Sequence, residues 1–185
     1  MGKYKISDIC KLEKGKQIDT SLLSENNKYK YINGGVSESG YYADYNTSGK
    51  VITVSEGGAS CGFVNYIEEP FWCGCHCYRL TDIKFPPKYI YYALKANQEN
   101  IMALRTGSAM PNIKKSSFER LEINLSEKSE ERDRITSVLE RIDYLIYNRQ
   151  IQCELYAQLV KSRFIGELID KSKSYTKIWG WQREN

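Results

Sequence analysis

The chain has 185 residues, 41% of them hydrophobic and 27% charged, and a net charge of +4. That length suits one globular domain plus a long appended element and is too short for two full domains. The charge is spread as 16 basic and 13 acidic residues up to Ser126 and 11 and 10 beyond it. Charge alone therefore does not mark a nucleic-acid binder, although it leaves room for a local basic face. The opening MGKYKISDIC holds no apolar run like a signal peptide, and nowhere do 18 uncharged apolar residues follow one another. A soluble, cytoplasmic protein with no membrane partner is expected. The six cysteines (Cys10, Cys61, Cys73, Cys75, Cys77 and Cys153) read as reduced thiols, because disulfide frameworks belong to short secreted chains.

In chain order, residues 1–126 are rich in Tyr, Gly, Asn and Ser. A short helix is predicted around Ser7 to Leu12. Strands are predicted at Lys50 to Ser55 and Gly62 to Ile67, where β-branched and aromatic residues lie between glycine turns. A helix follows from Pro87 to Leu104, since proline suits a first helical turn. The fold class is α+β, with a twisted, loop-decorated sheet in a domain over 1–126.

From 127 to about 170 the texture changes to helix formers, with Gly166 the only glycine between Ser129 and Asp170 and no proline. Ser129 suits a helix cap, and Glu130, Glu131 and Asp133 suit the helix's positive end. Leu139, Ile146, Cys153 and Val160 recur every seven residues, and Ile135, Ile142 and Tyr156 hold the complementary position, interrupted by Arg149 and Arg163. This is a coiled-coil seam. Val138, Leu145 and Leu159 widen it. About 40 residues at 1.5 Å each make a rod of roughly 60 Å, longer than a domain of this size needs for its own core, so packing on a partner helix is expected. Residues 171–185 read as a polar tail.

Little chemistry is visible. Cys73, Cys75, His76 and Cys77 invite a zinc site, but structural zinc takes two separated pairs of ligands and these lie in one run. Read as a strand, the run places Cys73, Cys75 and Cys77 on one face and Trp72, Gly74, His76 and Tyr78 on the other, giving buried thiols and no metal. His76 is the only histidine, and no catalytic triad surrounds it. Asn33-Gly34-Gly35 and Glu56-Gly57-Gly58 read as turns, because neither has the spacing of a phosphate-cradling loop. No cofactor and no catalytic residue are expected. Polar and aromatic loop residues suit DNA better: Tyr41, Tyr42, Asn46, Ser55 and Ser60 for base edges, and the Arg105 to Lys115 loop with Arg105, Ser108, Asn112, Lys114 and Lys115 for the backbone.

Taken in order, these blocks resemble the specificity subunits of type I restriction-modification systems. Ile6-Ser7-Asp8-Ile9 with Gly15-Lys16 is similar to the start of that family's target-recognition domain. Tyr31-Ile32-Asn33-Gly34-Gly35 before Ser39-Gly40-Tyr41 resembles the next block. Ile52-Thr53-Val54-Ser55 with Gly57-Gly58, and then Gly62-Phe63-Val64 before Pro70-Phe71-Trp72, keep the family's order. Gly107 to Ile113 is similar to the loop before the last strand of the family's sheet, and Leu121 to Leu125 resembles that strand. Ile135, Leu139, Ile142-Asp143, Leu155, Leu159, Lys161-Ser162 and Phe164 resemble the spacer helix. The departures are Ser126, where the family has proline, and Glu131-Arg132, where it has Glu-Gln.

The resemblance implies a half-length, non-catalytic specificity subunit with a single target-recognition domain. Its implied partners are double-stranded DNA, methyltransferase subunits and, in some assemblies, a restriction-translocase subunit. It also implies antiparallel helix pairing, whereas the sequence itself leaves the orientation open. A homodimer through Ile135, Leu139, Ile142, Ile146, Cys153, Tyr156 and Val160 is expected, with a separately encoded second half as the alternative. Two other classes compete. One is a coiled-coil decoy that occupies methyltransferase subunits. The other is a small DNA methyltransferase, which the Phe85-Pro86-Pro87-Lys88 run does not support, because it lacks that enzyme's polar entry and aromatic exit.

Overall fold

The computed structural model describes residues 1–107 and 109–181, with side chains through residue 166. The chain divides into two units, Met1–Thr136 and Ser137–Asn185. The first unit runs β1 (Gly2–Lys5), α1 (Ile6–Ile9), β2 (Lys11–Lys14), a 3-10 turn (Thr20–Leu22), β3 (Tyr29–Ile32), β4 (Tyr41–Tyr42), β5 (Val51–Ser55), β6 (Val64–Ile67), β7 (Phe71–Cys73), β8 (Cys77–Thr81), α2 (Pro87–Ala96), α3 (Gln98–Ala103), α4 (Lys115–Glu119), β9 (Glu122–Leu125) and the start of α5 (Ser129–Trp181). The class is α+β.

The main sheet is antiparallel in the order β2-β8-β5-β6. Its central strand β5 is covered on both faces. Ile52 and Val54 join the larger core with Leu12, Leu80, Ile90, Leu94, Ile113, Phe118, Ile123 and Leu125. Val51, on the opposite face, packs on a smaller cluster of Ile32, Phe71, Cys73 and Cys77. Ile32, Phe71 and Cys73 come from a mixed sheet, β4-β3-β7, in which β3 and β7 run parallel. β1 and β9 form a separate antiparallel pair. Fully burying each large apolar side chain contributes about 1.5–3 kcal/mol, so these two clusters are the main hydrophobic contribution to the first unit's stability.

Three local expectations are corrected. The helix predicted over Ser7 to Leu12 is a single turn, because Cys10 is extended at φ −157° and Lys11 onward pairs with β8. The Pro87 to Leu104 helix is two helices, broken at Asn97 (φ −100°, ψ 16°), whose amide Nδ2 donates to the Ala93 carbonyl at 2.8 Å. The run Cys73 to Cys77 is not one strand: β7 ends at Cys73, β8 begins at Cys77, and the chain turns through Gly74–His76.

At the joint into α5, Ser126 is buried. Its N–H donates to the Tyr89 hydroxyl at 2.8 Å and its own hydroxyl donates to Glu131. Arg132 donates to the Ser126 and Glu127 carbonyls at 2.9 and 2.8 Å and lies 5.3 Å over the Phe85 ring. These residues close the joint where the family pattern has proline and glutamine.

The second unit is helical as far as Trp181, and α5 thus runs on through most of the stretch that reads as a tail in the sequence. Its apolar side chains are uncovered: Leu145 is 60% exposed, Tyr156 68% and Val160 68%. Among the described residues, no helix is long and apolar enough to cross a membrane.

Candidate nucleic-acid interface

Five segments of the first unit meet in one loop cluster. The backbone of residues 15–16 is tied to the Cys73–Cys77 turn, with Gly15 N–H donating to the Cys77 carbonyl at 3.2 Å and Lys16 N–H to the Cys73 carbonyl at 2.9 Å. Gly74 N–H donates to Ile32 at 2.8 Å, joining the turn to the end of β3. Glu56 N–H donates to the His76 carbonyl at 2.9 Å, Ile113 N–H to Glu56 at 2.9 Å, and Gly58 N–H to Pro111 at 3.0 Å. The loop after α3 is therefore held against the β5–β6 turn, and it is closed on itself by paired Thr106 and Asn112 backbone bonds of 2.9 Å each. Gly107 at φ +89° permits that closure.

These segments and the residues adjoining them in sequence carry Lys14, Lys16, Arg105, Lys114 and Lys115, with Glu56 paired to Lys14 and Glu119 beside Lys115. Glu56 is buried, and its carboxylate accepts from the Tyr78 hydroxyl at 2.8 Å and pairs with Lys14 Nζ at 2.8 Å. Burial and that neighbouring carboxylate push the Tyr78 hydroxyl well above the ordinary phenol range. Lys14 is thus neutralised locally, and Lys115 lies 3.7 Å from Glu119. Lys16 and Lys114 are exposed, and among the described residues their ammonium groups have no ion-pair partner. Arg105 is exposed as well; its Nε donates to the Met102 carbonyl at 2.8 Å, which leaves the two terminal nitrogens available. These three cations can meet phosphates without first breaking an internal pair.

The other predicted contacts divide. Asn112 is half-buried in the closed loop, and Ser108 lies outside the described residues. Ser60 is half-buried at the β5–β6 turn, and its carbonyl accepts from Phe63 N–H at 2.9 Å. Ser55 is buried, its hydroxyl 3.3 Å from the Gly57 carbonyl. Both amide atoms of Asn46 are bound to the Cys73 backbone, at 3.0 and 2.7 Å, so this side chain fastens β7 to the loop before β5. Tyr41 and Tyr42 are half-buried on β4; Tyr41 donates to Glu38 at 3.4 Å, and Tyr42 meets Trp72 edge-on at 4.9 Å. Sequence reasoning missed Lys16, Gln17, Asn33 and the exposed side of the Gly74–His76 turn. The glycines at 15, 34 and 74 were the signal that could have found them.

Among the described residues, no group of three or more His, Cys, Asp or Glu side chains is placed to hold a metal. Cys73 and Cys77 are both buried. Their shared hydrogen bond and burial keep the Cys77 proton well above the ordinary thiol range, which makes that sulfur a poor nucleophile.

Of the predicted seam, Ile135 belongs to the first unit and packs on its core. Leu139 is half-buried, and Ile142, Ile146, Cys153, Tyr156 and Val160 are exposed along the helix of the second unit.

The family model "Type I restriction modification DNA specificity domain" matches residues 1–156. A Mycoplasma genitalium protein named as a type I specificity subunit is 32% identical over 180 residues, covering 96% of this chain and 46% of that protein. A Mycoplasma pneumoniae protein of the same description is 32% identical over 147 residues, covering 78% and 39%. The crystal structure of a type I restriction-modification S subunit from M. genitalium superposes with a TM-score of 0.75 at 35% identity, over 80% of this chain and 40% of that one. The HsdS subunit from Thermoanaerobacter tengcongensis, at 15% identity and a TM-score of 0.56, shares the fold. The chain spans less than half the length of the curated relatives it matches.

Proposed function

The chain belongs to the type I restriction modification DNA specificity domain family, and on that premise we propose that it is a sequence-reading half subunit that directs methyltransferase subunits, and in a full assembly a restriction-translocase subunit, to DNA in the cytoplasm. The observation that carries this reading is the loop cluster, where segments from distant parts of the chain are fixed backbone to backbone and the cations Lys16, Arg105 and Lys114 have no ion-pair partner among the described residues. Fixed loops on a sheet scaffold suit base reading, and the cations suit phosphate anchoring. Tyr41, Tyr42, Ser60, Ser108, Asn112 and Lys115 are proposed as further contacts, with Asn46 and Ser55 as supports beneath them.

The uncovered face of α5 supports pairing with a second copy through Leu139, Ile142, Ile146, Cys153, Tyr156 and Val160. Residues 1–126 then form the reader, 127–170 the spacer and 171–185 a trailing segment. Two identical readers related by a dyad see inverted copies of one half-site, so the target is a two-part palindrome. The role is non-catalytic. The test offers the purified chain, methyltransferase subunits from the same locus, and both together to a pool of randomised duplexes with S-adenosylmethionine. Methylation at a two-part motif only in the mixture is expected. Methyl transfer by the chain alone, or transfer without a motif in the mixture, contradicts the reading.

A further inference from the structure

The Gly74–His76 turn is held more tightly than a surface turn requires. A Cβ on Gly15 would stand 2.2 Å from the Cys73 carbonyl oxygen and 2.3 Å from that of Gly74, and a Cβ on Gly74 would stand 2.2 Å from Asn33 Oδ1. Gly34, at φ +83°, leaves room behind the turn where a Cβ would come within 2.7 Å of the His76 carbonyl oxygen. These approaches are possible only between glycines and neighbouring backbone or short side chains. His76 is gripped from both sides of its peptide: its N–H donates to Asn33 Oδ1 at 3.2 Å and its carbonyl accepts from Glu56 N–H at 2.9 Å. The preceding Cys75 thiol is 2.9 Å from Gln17 Oε1. The neighbouring polar side chains Asn33, Asn46, Ser55 and Glu56 all have internal partners. The His76 imidazole is exposed, and among the described residues it makes no hydrogen bond or ion pair.

We propose that His76 is a specificity-determining residue whose imidazole, aimed by this clamped turn, reads one base edge of the DNA target. The proposal rests on the DNA-specificity reading above. A neutral imidazole offers one donor and one acceptor nitrogen. The donor suits guanine N7 or O6 in the major groove, and the acceptor suits the amino group of adenine or cytosine. Discrimination by a single ring depends on its placement, which a rigid support supplies. Lys16, Arg105 and Lys114 are the cations proposed above to anchor phosphates, which leaves base reading to other side chains.

The test maps the motif methylated by the chain together with its methyltransferase subunits, for wild type, His76→Ala and His76→Gln, with thermal melting to verify folding. The expected result is that one position in each half-site relaxes in H76A, with discrimination there falling about 5- to 150-fold, while the rest of the motif persists. In H76Q that position keeps an altered preference. An unchanged motif, or a uniform loss of methylation with every position intact, overturns the proposal. A wild-type complex that yields no motif overturns the underlying DNA-specificity reading as well, so the two failures are distinguishable.

Discussion

The two units of this chain treat their apolar residues in opposite ways. Up to Thr136, side chains such as Ile52, Phe71, Leu94, Phe118 and Leu125 are fully buried, whereas beyond it Leu145, Ile146, Tyr156, Leu159 and Val160 are each more than half exposed. The first unit therefore draws its stability from its own core. The second leaves a hydrophobic driving force that a partner surface could satisfy. The difference is one of concentration: the fold of the first unit should not depend on it, and the state of the helix should.

The largest effects should come from breaking each unit by its own mechanism. Leu139→Asp with Ile146→Asp places charge in the proposed seam, where it cannot be solvated or paired. Light scattering should show complete conversion of dimer to monomer, while the denaturation midpoint of the first unit stays put. Phe118→Ala should act in reverse, destabilising the first unit by about 3–5 kcal/mol through a cavity in the core. Urea denaturation should record that loss independently of protein concentration.

A smaller effect separates anchoring from folding. Removing Arg105, Lys114 and Lys115 together, as alanines, should leave the melting temperature near wild type, since none of the three holds the core. Binding to all duplexes should weaken, and the salt-dependence slope should fall by about one for each DNA phosphate deprived of its cation. An unchanged slope moves the DNA face away from this loop.

A last effect is seen only in alkali. Cys10 is buried, and burial, aided by the charge of Glu119, pushes its thiol from 9.0 up to about 12. The folded state thus retains a proton that the unfolded chain releases above pH 9. The stability this contributes is whole below pH 9 and declines by up to about 1.4 kcal/mol per pH unit as pH rises toward 12. Cys10→Ala should flatten that decline, read from denaturation midpoints across the alkaline range. An identical decline in the variant assigns it to other groups, Tyr78 first.

The helix was legible because its pattern is local: apolar residues at heptad spacing need no knowledge of distant chain. Strands β5 and β6 were legible for the same reason, whereas β9 was legible only through the family resemblance. What escaped was non-local. The alternation of cysteines from Cys73 to Cys77 reads as a strand until Gly15 and Asn33, far away in sequence, pack against Gly74 and turn the chain. Asn97 looks like any polar helix residue until its amide caps the Ala93 carbonyl and ends α2. Asn46 and Ser55 resemble free loop donors, but the pairing of β5 with β8 and the approach of β7 direct both inward. The family resemblance pointed to the family whose model matches residues 1–156, yet it did not reveal that residues 15–16 and the β5–β6 turn are tied to the backbone of the Cys73–Cys77 turn that carries His76.

The central claim is that one reader per chain, joined to its copy through α5, selects the DNA target. Sequencing the DNA methylated by the chain and its methyltransferase subunits, with the subunit stoichiometry taken from native mass spectrometry of the same complex, tests this most directly. Two copies of the chain and a motif of two inverted, identical halves separated by an unspecified gap are predicted. A single copy in the active complex, or a motif whose halves differ, contradicts the account.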